Sequence, residues 1–374
     1  NGSSMIAFHL PKKDFQGFHI VASHSDSPTY RIKEQPEMSV EKHYTKLNIE
    51  RYGGMIPETW FDRPLSVAGR IIIEENGQIK DQLVNIDRDL MIIPNLAIHM
   101  SRSSNESKQL NPQKDLLPLC GGNLTKDGFE EMIAKESGVE KEDILSYDLF
   151  LYNRMRGTTL GINEEFVAAP KLDDLECAYS SIEGMLNAKL SKDYVTVCAL
   201  FDNEEVGSGT KQGAGSTFFP EVLKRISYLC GKNEEEYYMA VADSFMLSAD
   251  NAHAVHPNYQ DKTDPTNRPY INEGIVLKYN ASQKYTTDAN SAALVKYLCK
   301  KEKIKCQVFF NRSDMLGGST LGNILTGQVS IKAADIGLPQ LSMHSTYETA
   351  GCKDLDDMIT LMGSFYELGK EVQI

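Results

Sequence analysis

Residues 194–207 read YVTVCALFDNEEVG, an apolar run that ends in two adjacent glutamates. The β-branched and aromatic residues of this run predict a buried strand over residues 194–201. Downstream of Pro170, predicted helices alternate with predicted strands. The helices are expected over residues 175–190, 220–230, 234–242, 289–301 and 355–368, and further strands over residues 244–249 and 305–310. This alternation predicts an α/β fold with a mixed, mostly parallel sheet flanked by helices.

The chain upstream of Pro170 has a different character. Residues 17–24, GFHIVASH, predict another buried strand, which ends at His24 before a polar loop. Between residues 30 and 156, short alternating segments flank Asn76-Gly77, a dipeptide typical of a type I′ hairpin turn. We therefore expect a discontinuous domain, residues 1–29 and 157–374, that is interrupted by a β-rich domain over residues 30–156.

The amino-acid composition limits the binding partners and the cellular location that can be expected for this protein. The 374 residues include 39 Lys and Arg against 52 Asp and Glu, and the formal charge of -13 disfavours nucleic acid and anionic membranes as partners. Apolar runs are far shorter than the roughly 20 residues of a membrane helix. The seven cysteines contain no CxxC pair, which predicts reduced thiols and a cytoplasmic location. The sequence starts at Asn1, with no initiator Met and no recognisable signal peptide. We therefore expect the native chain to begin upstream.

Candidate catalytic residues lie at the edge where open α/β sheets bind ligands. Most of them follow a predicted strand, and Asp173 lies in the loop before a predicted helix. They are His24, Asp173, Glu204, Glu205, Asp250 and His344. The adjacent acids Glu204 and Glu205 repel each other unless a cation or a shared proton compensates. One is therefore a candidate metal ligand, and the other a candidate general base. An acidic first turn of a helix is the alternative interpretation, because the helix dipole favours it.

Three further histidine motifs leave alternatives open. His24-Ser25-Asp26 places an imidazole and a carboxylate on one face of an extended chain, so that Asp26 can orient a metal-bound His24, although a strand-end turn explains the same residues. His253 is expected to be structural. His256 either contacts substrate or packs against its neighbours. The sequence contains no dinucleotide-binding, P-loop, α/β-hydrolase or zincin signature.

Longer motifs resemble those of the aspartyl aminopeptidase and vacuolar aminopeptidase I family, metallopeptidase family 18, of a clan that uses paired zinc ions. They extend over nearly the whole chain. The matching segments are residues 1–4 (NGSS), 24–28 (HSDSP), 59–63 (TWFDR), 111–113 (NPQ), 171–175 (KLDDL), 201–207 (FDNEEVG), 248–250 (SAD), 253–259 (HAVHPNY) and 337–345 (GLPQLSMHS). The resemblance implies a zinc peptidase-like catalytic domain, with the β-rich insert serving in dimerisation.

The resemblance also implies a binuclear site for two divalent ions, with zinc expected and cobalt or manganese as alternatives. The implied ligands are Asp173, His24 and Asp250 for one ion, and Asp173, Glu205 and His344 for the other. The shared carboxylate lowers the repulsion between two cations about 3.5–4 Å apart. Glu204 is implied as the general acid and base, and Asp26 as the group that orients His24. The Asp173–Asp174 bond is expected to be cis, although family members usually have asparagine after the bridging aspartate.

The family likeness implies a substrate class and an assembly as well. The substrates are peptides with a free N-terminus, and relatives assemble from dimers into tetrahedral dodecamers. His256 matches a position that contacts substrate across a subunit boundary. Lys278 matches a lysine near the pocket for the N-terminal side chain, and a strand-edge lysine is the alternative. Two other functions stay open at this point: a two-zinc carboxypeptidase or deacylase, and a non-catalytic assembly protein on the same scaffold.

Overall fold

The computed structural model describes residues 2–11, 14–101, 109–124 and 127–372. None of the helices in these residues combines the length and the apolar character needed to cross a bilayer.

In chain order, the strands are β1 (Met5–His9), β2 (Gly17–His24), β3 (Thr29–Val40), β4 (Tyr44–Tyr52), β5 (Leu65–Glu75), β6 (Gln78–Asn85), β7 (Leu119–Gly121), β8 (Ile144–Asn153), β9 (Thr158–Leu160), β10 (Phe166–Ala169), β11 (Tyr194–Phe201), β12 (Phe245–Ala249), β13 (Ala252–His253), β14 (Ile275–Lys278), β15 (Cys306–Phe309), β16 (Lys332–Gly337), β17 (Pro339–Leu341) and β18 (Glu348–Gly351). The α-helices are α1 (Pro112–Asp115), α2 (Gly128–Ser137), α3 (Leu172–Asn187), α4 (Phe218–Leu229), α5 (Glu234–Ala242), α6 (Ala289–Glu302), α7 (Leu321–Gln328) and α8 (Cys352–Tyr366).

The chain divides into two compact units. The first unit consists of Asn1–Ser27, Thr158–Met343 and Glu348–Ile374, and the second of Pro28–Gly157 and His344–Tyr347. The expected insert, residues 30–156, omits the short segment His344–Tyr347, which makes its contacts with the second unit. There, the main-chain N–H of Ile56 donates to the His344 carbonyl at 3.1 Å, and that of Thr346 donates to the Thr59 hydroxyl at 3.1 Å.

A seven-stranded sheet forms the centre of the first unit, in the order β1-β11-β2-β12-β16-β14-β15. The pairs β11–β2, β2–β12, β12–β16 and β14–β15 are parallel, while β1–β11 and β14–β16 are antiparallel. Every residue of β2 is buried, as expected for a central strand that is covered on both faces. The prediction of a mixed, mostly parallel sheet is confirmed.

Helices cover both faces of this sheet. Along β2, Ile20 and Ala22 belong to a core shared with α4, α5 and α7, while Val21 belongs to a core shared with α3, α6 and α8. This division follows from the alternation of side chains along a strand. The expected helix 234–242 matches α5, whose start is fixed by a capping box between Asn233 and Glu236.

A smaller sheet in the first unit and a larger one in the second complete the fold. The smaller sheet has the order β13-β17-β18-β10-β9. In the second unit, the antiparallel order β6-β5-β8-β3-β4-β7 surrounds a core that contains Trp60 and Leu149. Asn76 and Gly77 both have positive φ, 55° and 75°, which confirms the predicted turn between β5 and β6.

Candidate metal centre

Three adjacent parallel strands bring most of the predicted site residues to one edge of the seven-stranded sheet. His24 is the last residue of β2, and Asp250 directly follows β12. Glu204 and Glu205 begin a 3-10 helix that starts three residues after β11. Because β11, β2 and β12 are neighbours and run in the same direction, their carboxyl ends present these side chains together.

Asp173 reaches the same edge from the start of α3, where the backbone departs from helical geometry. Asp173 has φ -82° and ψ 108°, and the Asp173–Asp174 peptide bond is cis, as expected from the family resemblance. The main-chain N–H of Asp173 donates to Glu348 Oε2 at 3.0 Å, and Ser27 Oγ donates to the Asp173 carbonyl at 3.1 Å. Both main-chain polar groups of Asp173 are therefore held by side chains of the first unit.

The two nitrogens of the His24 ring face different groups. Nδ1 lies 3.1 Å from the Asp26 carbonyl oxygen and 3.3 Å from Asp26 Oδ1, while Nε2 lies 3.7 Å from Asp173 Oδ1. Asp26 is thus placed to hold a proton on Nδ1, so that Nε2 is the nitrogen that a metal ion at the acidic cluster would bind. The imidazole is buried, with 1% of its side chain exposed.

Asp26 also anchors the two glutamates. Its Oδ1 accepts a hydrogen bond from the main-chain N–H of Glu204 at 3.1 Å, and its Oδ2 accepts one from that of Glu205 at 3.2 Å. Asn203, the residue before them, has φ 62°, which turns the chain sharply after β11. A single carboxylate therefore fixes both the His24 ring and the backbone that carries the two acids.

Potential ligand atoms converge in two overlapping groups. His24, Asp173 and Glu205 offer atoms that all lie within 4.8 Å of one another, and so do Asp173, Asp174 and Asp250. Asp173 belongs to both groups. This donor set of one imidazole and four buried or half-buried carboxylates suits zinc, and its oxygen content also suits manganese.

Burial and crowding change the acidity of these groups. Burial and the Asp250 carboxylate raise the pKa of Glu204 to about 7, and burial and Asp173 raise the pKa of Glu205 to about 10. Burial also raises the pKa of Asp174 well above its usual range. Burial opposes protonation of His24, but Asp26 and the neighbouring carboxylates outweigh it and raise its pKa well above the ordinary value. A bound cation would relieve this repulsion.

Lys278 supplies a buried positive charge beside the acids. Its Nζ donates to the main-chain carbonyl of Asp250 at 2.7 Å and to that of Asn251 at 3.3 Å, and it lies 3.7 Å from Asp250 Oδ2. Burial opposes the charge, but Asp250 and Tyr285 outweigh burial and raise the pKa of Lys278. The ammonium also lies 5.0 Å from the Tyr285 ring centroid. Lys278 is therefore a charged, buried neighbour of Asp250.

His256 and His344 lie outside the two groups of ligand atoms. His256 is half-buried, its Nδ1 accepts a hydrogen bond from the main-chain N–H of Asn258 at 3.1 Å, and its ring lies 4.9 Å from that of Tyr259. His344 lies in the segment of the second unit described above and has φ 65°, a left-handed backbone that is unusual for a non-glycine residue. The roles of both histidines stay predictions.

Comparison with known proteins identifies the family. The model of the aminopeptidase I zinc metalloprotease family (M18) matches residues 1–366. The chain belongs to this family. It is thus an aminopeptidase of the zinc metalloprotease class, which confirms the predicted activity over the carboxypeptidase, deacylase and non-catalytic alternatives.

The similar proteins extend over nearly the whole chain. Probable M18 family aminopeptidase 2 of Clostridium novyi is 46% identical over 379 residues, which cover 98% of this chain and 87% of that protein. The protein of the same description in Clostridium acetobutylicum is 45% identical over 381 residues, with the same coverage. The structure of an Ape4 and Nbr1 complex contains a chain with 37% identity and a TM-score of 0.94, over 98% of this chain and 75% of that one.

A fungal member has been solved as an assembly. The Saccharomyces cerevisiae mApe1 dodecamer contains chains that are 28% identical to this M18 member, with a TM-score of 0.84. The match covers 98% of this chain and 83% of that one.

Three polar residues contact the site residues but were not predicted from the sequence to take part in the site. Asp174 belongs to one group of ligand atoms, and its Oδ2 accepts a hydrogen bond from the main-chain N–H of His24 at 3.2 Å. Glu348 holds the main chain of Asp173, and Asn251 contacts the segment before it. Of the three, only Asp174 could have been found from the sequence, because it directly follows the predicted bridging ligand.

Proposed function

We propose that this aminopeptidase holds two divalent cations, zinc in the first place, at the carboxyl edge of its seven-stranded sheet. His24, Asp173 and Asp250 would hold one ion, and Asp173, Glu205 and His344 the other. The observation that carries this proposal is the membership of Asp173 in both groups of converging ligand atoms. A carboxylate in that position is suited to bridge two cations.

The chain's own residues supply the proton transfers of peptide hydrolysis. When bound, the cations supply Lewis acidity towards the scissile carbonyl and lower the pKa of water. Glu204, with a pKa raised to about 7, accepts a proton from the attacking water at its carboxylate and delivers it to the leaving amine. Asp26 keeps both Glu204 and the His24 ring in place through the hydrogen bonds described above.

Two residues of the first unit are the candidates for substrate contacts. We propose that Lys278 favours an acidic N-terminal side chain by charge pairing, and that His256 contacts the substrate across a subunit boundary. The buried ammonium of Lys278 beside Asp250 supports the first assignment. The half-buried surface position of His256 supports the second.

The proposed assembly is a homo-oligomer, in which dimers associate into a tetrahedral dodecamer. The dodecamer solved for mApe1 supports it. A cytoplasmic location is proposed with it, since the seven cysteines are free thiols. Light scattering of the purified protein would distinguish a dodecamer from a dimer.

The test of the mechanism is Glu204→Gln, with Glu205→Gln as its matched control. Glu204→Gln should keep both metal ions and lose about 100- to 10,000-fold in kcat, because the amide cannot accept the proton. Glu205→Gln should instead lose metal ions. Metal content would be measured by atomic emission, and kcat with Asp, Glu, Leu and Lys chromogenic derivatives. Full turnover by Glu204→Gln would overturn the assignment of the general base.

A further inference from the structure

Asn251 occupies an unusual place in the first unit. It directly follows Asp250, is 3% exposed, and directs its side chain away from Asp250 towards α3. Its side-chain atoms contact four buried groups. Nδ2 donates to the Leu172 carbonyl at 3.0 Å, to Glu176 Oε2 at 3.2 Å and to Gln340 Oε1 at 2.8 Å, while Oδ1 accepts from Cys177 Sγ at 3.2 Å.

These contacts join two segments that carry proposed metal ligands. Asn251 belongs to the segment after β12 that carries Asp250, and Leu172 is the residue before Asp173. The carboxylates of Asp173 and Asp250 repel each other, since both lie in one group of converging acids. The hydrogen bond from Asn251 to the Leu172 carbonyl holds the two ligand segments together against this repulsion. Because the amide is uncharged, it adds no charge to the acidic cluster. The main chain of Asn251 is itself held in place, because Lys278 Nζ donates a hydrogen bond to the Asn251 carbonyl.

A primary amide suits this position for a reason of charge. Glu176 is buried, and burial raises its pKa to about 8, while the hydrogen bond from Asn251 acts in the opposite direction. A carboxylate in place of the amide would have no proton to donate to the Leu172 carbonyl or to Gln340 Oε1. An aliphatic side chain would leave the same buried oxygens without their donor. The two N–H bonds of the Asn251 amide serve all three oxygens, so one N–H is shared between two acceptors.

We propose that Asn251 is a positioning residue, which sets the separation of Asp173 and Asp250 and thereby the affinity of the metal site that they share. This inference rests on the proposed function, in which both carboxylates are metal ligands. Outer hydrogen-bond partners of metal ligands typically change metal affinity by about 10- to 100-fold when they are replaced. Asn251 acts through the backbone of both ligand segments and does not touch the metal.

The test exchanges the donor and the acceptor of one hydrogen bond. In Asn251→Asp the donor to Glu176 is lost, and two carboxyl groups face each other. In the double variant Asn251→Asp with Glu176→Gln, the glutamine amide donates to the aspartate, so that the bond is restored in the reverse direction. Gln340 assists, because its Nε2 has no hydrogen-bond partner among the described residues and can turn towards the aspartate. Glu176→Gln alone keeps an acceptor for Asn251 and is the matched control.

Zinc affinity of each metal-free protein would be measured by competition with a chromophoric chelator. We expect Asn251→Asp to bind one of its two ions at least about 10-fold more weakly, Glu176→Gln to stay within about threefold of the wild type, and the double variant to recover most of the loss. Thermal unfolding of the metal-free proteins separates a weakened site from a destabilised fold. Asn251→Ser, whose hydroxyl is too short to reach Leu172, should show the same loss of affinity if the aspartate variant does not fold.

The possible results separate this inference from the proposed function. Wild-type protein that binds fewer than two zinc ions would overturn both. Wild-type protein that binds two ions, with Asn251→Asp or Asn251→Ser equal to it in affinity, would overturn the positioning role alone. A double variant that stays as weak as Asn251→Asp would also overturn it, because the loss would then not come from the exchanged hydrogen bond.

Discussion

The two units of the chain differ in where they keep their charges. Among the described residues, every buried side chain with an acidic or basic group lies in the first unit. These residues are His19, His24, Asp173, Asp174, Glu176, Lys278, Asp335, Glu348 and Asp354. In the described part of the second unit, the buried polar residues are uncharged: Thr45, Ser66, Asn153 and Thr346. Burial of charge is costly, and three of these nine residues, His24, Asp173 and Asp174, belong to the groups of converging ligand atoms.

The second unit places its charges on the exposed face of its sheet. Arg31 and Arg70, on β3 and β5, each donate to Asp148 on β8 at 2.7 Å, and the Asp148 side chain is 35% exposed. Such pairs contribute little to stability, because water screens them. The comparison indicates that replacing a buried carboxylate of the first unit changes chemistry, whereas replacing Asp148 changes little.

The largest effect is expected for Asp173→Asn. Loss of the bridging charge should remove at least one metal ion and reduce kcat/KM by about 1,000-fold or more, because the electrostatic stabilisation of the reaction is lost. The metal-free variant should nevertheless unfold at the same temperature as the wild type or higher, since one of several repelling carboxylates is gone. Metal analysis, kinetics and calorimetry measure the three quantities. Full metal content with normal kinetics would remove Asp173 from the site.

The next effect is a dependence of stability on pH in the metal-free protein. Burial raises the pKa values of Glu204, Glu176 and Glu205 to about 7, 8 and 10, so that the folded protein retains protons which the unfolded chain releases above about pH 4.5. Stability should therefore fall as the pH rises from 6.5 to 9, by about 1.4 kcal/mol per pH unit for each extra proton bound.

Added zinc supplies the control for this pH dependence. A cation that neutralises the cluster takes the place of the protons, so the loaded protein should lose much less stability between pH 6.5 and 9. Denaturant unfolding with and without zinc, at several pH values, measures both slopes. A metal-free protein whose stability rises over this range would show that these buried acids do not retain protons in the folded state.

The sequence predicted the parts of the fold that depend on local pattern. Residues 194–201 form β11 as expected, because a continuous apolar run of β-branched residues favours a central strand. The regular part of α3 begins at Leu175, as expected, because the backbone of Asp173 and Asp174 before it is not helical. The short strand β13 was not predicted, because two residues carry no periodicity.

The candidate site shows the same limit. His24 and Glu205 were recognised because acids and histidines after strands indicate ligands, and Asp173 because it lies in the loop before a helix. The structure brings the three together. Asn251 and Glu348 were not recognised as partners of the site. In a sequence, a buried polar residue looks like an exposed one until its tertiary neighbours are known. The contacts of Asn251 with Leu172 and Gln340 span 79 and 89 residues of chain, which no local pattern reports.

A moderate effect on stability is expected where α3 packs against α8. A Cβ atom added to Gly184 would lie 2.8 Å from Met362 Cβ and 3.1 Å from the Gly363 nitrogen. Gly184→Ala should therefore destabilise the protein by about 1–3 kcal/mol, because the overpacked helices must separate. Gly327→Ala is a matched control, since nothing lies within 4 Å of the Cβ added there. Equal midpoints for the two variants in urea unfolding would contradict the close packing.

The smallest effect is expected for Asp148→Asn, the counterpart of Asp173→Asn in the other unit. The amide cannot pair with the charges of Arg31 and Arg70, but all three side chains are partly exposed, with 49% of Arg31 and 24% of Arg70 accessible. Stability should fall by less than about 1 kcal/mol, and high salt should reduce the difference further. Metal content should be unchanged. A loss of several kcal/mol in urea unfolding would mean that the second unit also depends on its charges, and the contrast between the two units would fail.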